Sequence, residues 1–155
     1  GWYMASLVDC LECFPTDYNQ RNDLLEIFNK VTSSLTTYQE QDSHLWYQVL
    51  DAGHRSDNWL ETSCSALFAY AFAKGARLGY LDASYRKQAE QVFNTLVEQY
   101  VNLDDNHHIY FEGTVTTGSL GSSGGTYEYY VNIDKQTNDF KGIGAFLYLC
   151  TELDR

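Results

Sequence analysis

Three short stretches gather residue types suited to holding a sugar. Trp46, Tyr47 and Gln48 sit in the run HLWYQVLD; Glu61, Thr62 and Ser63 follow in NWLETSC; Gly124, Gly125 and Tyr127 lie in GSLGSSGGTYEYY. Aromatic rings stack on the faces of sugar rings, and amides, hydroxyls and carboxylates pair with sugar hydroxyls. Each stretch precedes an apolar helical run. A helix start offers unpaired N–H groups and a positive dipole end, which suits an acidic sugar. If these helices run parallel, their starts converge on one mouth. Plainer readings stand beside these: Glu61 as a helix cap, Trp46 as a hydrophobic plug, and residues 118–125 as a linker rather than a loop over a cavity.

Other chemistries find little support. No nucleophile-elbow motif is present, and GSLGSSGG lacks the GK[ST] ending of a phosphate loop. His107 and His108 fall in a polar, solvated loop. Cys10-x-x-Cys13 has no second pair to complete a metal site, so the four cysteines are expected to be reduced core thiols of a cytoplasmic protein. No cofactor or metal is expected. The formal net charge of −11 argues against nucleic acid and anionic membranes as partners. No run of eighteen apolar residues exists to span a bilayer.

The positioning elements follow from periodicity. Length and composition, 155 residues with 44% hydrophobic, fit one domain over residues 1–155. Five helices are expected, at Trp2–Phe14, Asn22–Gln41, Asn58–Leu78, after Asp82 through Tyr100, and Gly142–Leu153. Asn58 and Asp82 are read as their caps. The first, third and fifth are apolar on most sides; the second and fourth carry a single stripe. That inner–outer alternation predicts an all-α fold, part of an α/α barrel or toroid. LWYQVLD, HIYFEG and TYEYYVN are read as short β-like pieces between the helices.

Four blocks carry a resemblance: GWYMASLVDCLECFP, HLWYQVLD, NWLETSCSALFAYAFAKGARLGYLD, and GTYEYY followed by NDFKGIGAFLYLCTEL. In this order they resemble the unsaturated rhamnogalacturonyl hydrolases, glycoside hydrolase family 105, related to the unsaturated glucuronyl hydrolases of family 88. The resemblance implies an (α/α)6 barrel that removes a 4,5-unsaturated uronic acid from pectin-derived oligosaccharides by hydrating its enol ether, with an Asp as general acid and base. Trp2 matches the Trp ending the family's W-x-R-x-N-G-W motif, a sugar-site residue. Trp46, Gln48 and Glu61 fall in family blocks. The glycines before Tyr127 correspond to a loop that contacts substrate in the related enzymes.

The departure is equally informative. The W-x-R-x-N segment and the catalytic Asp that normally precede this block are not among these residues. The resemblance therefore implies the C-terminal part of the barrel, with no catalytic residue of its own. The acid/base Asp and the substrate-carboxylate Arg would lie ahead of Gly1. Such a chain would be inactive alone and partnered by an N-terminal half, or paired with a second copy. A non-catalytic helical module that binds carbohydrate or protein is the alternative.

Overall fold

In the computed structural model, which describes residues 1–121 and 124–155, the chain is organised around one buried helix. Six α-helices are present among the described residues: α1 (Trp2–Cys13), α2 (Arg21–Thr37), α3 (Thr62–Arg77), α4 (Ser84–Tyr100), α5 (Tyr127–Val131) and α6 (Phe140–Leu153). In α3 the whole stretch from Ser65 to Gly75 is buried. Its alanines, Ala66, Ala69, Ala71 and Ala73, let neighbours approach from every side. Helices α1, α4 and α6 pack on it, and α2 packs on α1. The sequence makes α2 and α4 one-sided, and they bury only one stripe each: Phe28, Thr32 and Leu35 on α2, Ala89, Val92, Thr95 and Leu96 on α4.

Helices α1 and α6 read as apolar all round, yet this chain covers each on one side. Met4, Val8 and Leu11 of α1 and Ala145 and Leu149 of α6 are buried, while Trp2, Tyr3, Leu147 and Tyr148 are exposed. Cys10 and Cys13 are also exposed on α1, which corrects the expectation that all four cysteines are core thiols. All four are free.

Two hairpins bridge the helices. Strand β1 (Val101–Leu103) pairs antiparallel with β2 (Ile109–Phe111), and β3 (Thr114–Val115) pairs antiparallel with β4 (Lys135–Gln136). The expected β-like character of HIYFEG holds in β2. LWYQVLD contributes one bridge, Tyr47 to Leu60, then a single 3-10 turn at Leu50–Ala52. TYEYYVN is helical instead, as α5: the Thr126 side chain accepts from Tyr129 N, and Trp59 Nε1 donates to the carbonyl of Val131 at 3.1 Å.

The caps also differ from expectation. Helix α3 starts at Thr62 rather than Asn58, because Glu61 is its cap and accepts from Cys64 N. The Asn58 side chain instead ties the preceding loop, donating to the carbonyls of Val49 and Ala52. Helix α4 starts at Ser84; Asp82 accepts from Ser84 N but is not the cap residue. Helix α6 starts at Phe140, two residues early, capped by Asp139.

Gly142 shows how tightly α6 seats. A Cβ there would meet Thr114 Cβ of β3 at 2.9 Å, with the Thr114 hydroxyl nearer still. Alanine is the better helix former by about 1 kcal/mol, but overpacking a filled site costs about 1–3 kcal/mol. Gly142→Ala is therefore expected to lower the urea midpoint of unfolding. A raised midpoint would mean that helix propensity outweighs the contact with β3.

Candidate functional site

The first turns of α1, α3 and α6 meet at one hollow of about 590 Å³. Trp2 comes from α1, Glu61, Ser63 and Cys64 from the start of α3, and Lys141 from α6. Gln48 and the segment Val115–Gly118 close one side, with Tyr130 of α5. The inner helices thus start at a shared mouth, as their apolar patterns lead one to expect.

Glu61 organises the wall. It is 1% exposed, and its carboxylate is surrounded by donors. Oε2 accepts from Cys64 N at 2.5 Å, Oε1 accepts from Val115 N at 3.0 Å, and the Ser63 hydroxyl lies 2.9 Å from both oxygens. The main chain of Glu61 donates to the Trp46 carbonyl at 2.9 Å. A single side chain therefore caps α3 and pins the strand that lines the hollow. With this many donors committed, Glu61 is a positioning group rather than a mobile proton carrier.

Neighbouring groups have defined roles. Burial pushes the Cys64 thiol well above its ordinary range, and the Glu61 carboxylate beside it pushes the same way. A thiol held neutral is a poor nucleophile. Gln48 donates through Nε2 to the Tyr130 carbonyl at 3.4 Å, and its main-chain N–H bonds the Trp59 carbonyl at 2.8 Å. Asp139 takes Lys141 N on one oxygen and Lys141 Nζ on the other, at 2.9 and 2.7 Å. Burial works against its ionised form, yet these bonds hold its carboxyl below the usual range.

Of the residues singled out in the sequence, Trp2, Gln48, Glu61 and Ser63 come together in this hollow. Trp2 is 53% exposed, a ring available to stack. Trp46 lies elsewhere, fully buried. Its Nε1 donates to the Leu35 carbonyl at 2.7 Å, and its ring meets Phe68 and Phe72 edge-on. It takes the hydrophobic-plug role, because the indole fits between the end of α2 and the middle of α3. Tyr127 also turns outward: its hydroxyl donates to Asp57 at 2.7 Å, and Arg55 stacks over its ring at 3.5 Å. Gly124 and Gly125 form a turn with φ of +69° and +64°, outside the lining. Ser122 and Ser123 of the glycine-rich run lie outside the described residues.

Sequence reasoning missed Lys141, Tyr130 and the Val115–Gly118 segment. Lys141 was within reach, had the start of α6 been placed at Phe140. The segment comes in through the β3–β4 pairing, which leaves no local signal. Among the described residues no group of three His, Cys, Asp or Glu is placed to hold a metal ion. No helix of the described residues is long and apolar enough to cross a membrane. A second hollow of about 500 Å³ lies between α1 and α2, is mostly apolar, and contains none of the expected residues.

Two layers of helices with a polar and aromatic hollow at the inner starts define a segment of a helical toroid of the glycoside hydrolase kind. The chain belongs to Glycosyl Hydrolase Family 88, whose sequence model matches residues 1–155. Its backbone superposes on the glycoside hydrolase from family 105 of C. acetobutylicum with a TM-score of 0.94 at 33% identity, covering 99% of this chain and 43% of that one. A possible member of family 105 from Salmonella enterica shares the fold, with a TM-score of 0.81 at 24% identity, over 97% of this chain and 37% of that one. The 24.9 kDa protein in the picA locus of Rhizobium radiobacter is 33% identical over 161 residues, which span 98% of this chain and 68% of that protein. The chain thus spans well under half of the enzymes whose structures it matches.

Proposed function

We propose that this chain is part of an unsaturated rhamnogalacturonyl hydrolase. The reaction removes a 4,5-unsaturated uronic acid from a pectin-derived oligosaccharide by hydrating the enol ether. The carrying observation is the meeting of Trp2, Gln48, Glu61 and Lys141 where the three inner helices start. Family membership and the likeness to the clostridial family 105 enzyme support the same reading. In it, this chain supplies sugar-binding groups, and the acid/base Asp comes from residues outside the chain. The exposed apolar faces of α1 and α6 then receive further helices of the toroid.

The test follows loss of the enol-ether ultraviolet absorbance of an unsaturated uronosyl-rhamnose disaccharide. A longer protein containing this chain is expected to consume it, and the 155-residue chain alone is not. Turnover by the chain alone would place the acid/base within it. Failure of the longer protein would remove the substrate assignment, and equal binding of saturated and unsaturated uronides without turnover would point to a non-catalytic sugar-binding module. Within the longer protein, Trp2→Ala is expected to raise KM about three- to tenfold, since stacking contributes about 0.5–1.5 kcal/mol. An unchanged KM would exclude Trp2 as the sugar platform.

A further inference from the structure

A third hollow, of about 360 Å³, lies at the C-terminal end of α4, against the paired strands β3 and β4. Val115 of β3 lines the hollow at the helix starts; its register partner Lys135, with Gln136 of β4, lines this one. The two hollows therefore share one pair of strands. Tyr100, the last residue of α4, is the half-buried aromatic of the lining. Gly113, at φ of +78°, backs its ring: a Cβ there would meet Tyr100 Cδ1 and Cε1 at 2.9 Å. The polar groups around that ring are uncommitted. Among the described residues, the Tyr100 hydroxyl, the Gln99 and Gln136 amides, the Thr137 hydroxyl and the Glu112 carboxylate make no hydrogen bond or ion pair within the protein. The wall of the first hollow differs, since Glu61, Ser63 and Asp139 are bonded to their neighbours. The one cation in this lining, Lys135, stands over the Trp59 ring, 4.9 Å from its centre.

We propose that this third hollow is an accessory site for a neutral sugar residue, one further along the oligosaccharide whose acidic end enters the first hollow. The inference rests on the function proposed above for the source of that sugar. Two amides, two hydroxyls and a carboxylate beside an aromatic ring match the hydroxyls and the ring face of a sugar. The charge selects against an acidic one. Glu112 has no cation paired with it, Lys135 faces the indole, and the net charge of −11 adds to the repulsion of an anion. The shared strands give an extended ligand a path from one hollow to the other.

The experiment titrates the isotope-labelled chain with a neutral rhamnose disaccharide, and separately with glucuronate, following backbone amide shifts by NMR. The neutral sugar is expected to move the amides of residues 99–100, 112–113 and 135–137 to saturation, and glucuronate to leave them in place. Tyr100→Phe removes only an oxygen that has no partner, so the fold stands. It is expected to weaken the neutral sugar about two- to tenfold, as is Gln136→Ala. A disaccharide that moves none of these amides, or only those lining the first hollow, overturns the proposal. Binding that both variants leave unchanged overturns it too, and equal binding of glucuronate overturns the choice of a neutral sugar. None of these readings needs turnover. A longer protein that fails to consume the unsaturated disaccharide therefore removes the function proposed above and leaves the titration to decide this site.

Discussion

Arg77→Met is expected to destabilise the protein by about 1–3 kcal/mol, the range for leaving a buried acceptor without its partner, because Arg77 itself is partly exposed. Arg77 reaches Glu152 with two parallel bonds, Nε to Oε1 at 2.5 Å and an amino nitrogen to Oε2 at 3.1 Å. The Glu152 side chain is only 2% exposed, and its other cationic contact, Arg155, stands at 3.7 Å. Losing Arg77 therefore leaves a buried carboxylate with Arg155 as its remaining cation. Glu152 also sits in the last turn of α6, where the negative helix end already disfavours it. For a chain of this size the loss corresponds to roughly 2–12 °C in Tm. Replacing both partners, Arg77→Met with Glu152→Met, should recover most of the stability, since no charge is left unpaired. A single variant that melts with the wild type would show that water reaches the Glu152 carboxylate once Arg77 is gone.

The same end of the molecule explains why that pair matters. Lys74 bonds Asp9 and Glu12 of α1, each at 2.7 Å, and Arg77 bonds Glu152 of α6. Both cations lie in the last turn of α3, where a helix favours positive charge. The carboxylates lie toward the ends of α1 and α6, where helices disfavour negative charge. Pairing across the three ends removes that conflict and ties the inner helices together at the side away from the hollow.

Glu61→Gln is expected to cost about 1–3 kcal/mol while keeping the side-chain volume. An amide presents one oxygen and one NH2 group, so the NH2 must face either Cys64 N–H or Val115 N–H. One of these two donors then goes unpaired, at about 1–3 kcal/mol: the cap bond of α3 if it is Cys64 N–H, the tie to β3 if it is Val115 N–H. Hydrogen exchange localises the effect: protection should fall at Cys64 or Val115 before it falls in the middle of α3. Because the Glu61–Val115 bond holds the strand lining the hollow, turnover by the longer protein should fall as well. Exchange rates that rise evenly along α3 would mean that Glu61 acts only through global stability.

The residues carried different amounts of this in their own order. The alternation of all-round apolar helices with one-stripe helices set the two layers, because burial on several sides demands apolar residues on several sides. The run SCSALFAYAFAKGA could only be central, since its small side chains invite close packing from each direction. Glu61 at a helix start was legible both as a cap and as a site residue; the tertiary structure makes it a cap that also lines the hollow. TYEYYVN was misleading, since its aromatic, β-favouring composition is overridden by the Thr126 cap and the Trp59 bond to Val131.

What the sequence by itself determined was the layering, the helix starts to within a few residues, and the family. Local periodicity and capping act over a few residues and are visible in a linear string. Which residues share the hollow was decided only in three dimensions. Trp46 and Gln48 are two positions apart, and a regular strand would put them on one face; the segment makes a single bridge, Tyr47 to Leu60, and Trp46 enters the core while Gln48 reaches the hollow. Lys141 and Glu61 are eighty residues apart by number, and they meet because parallel packing of α3 and α6 brings their starts together.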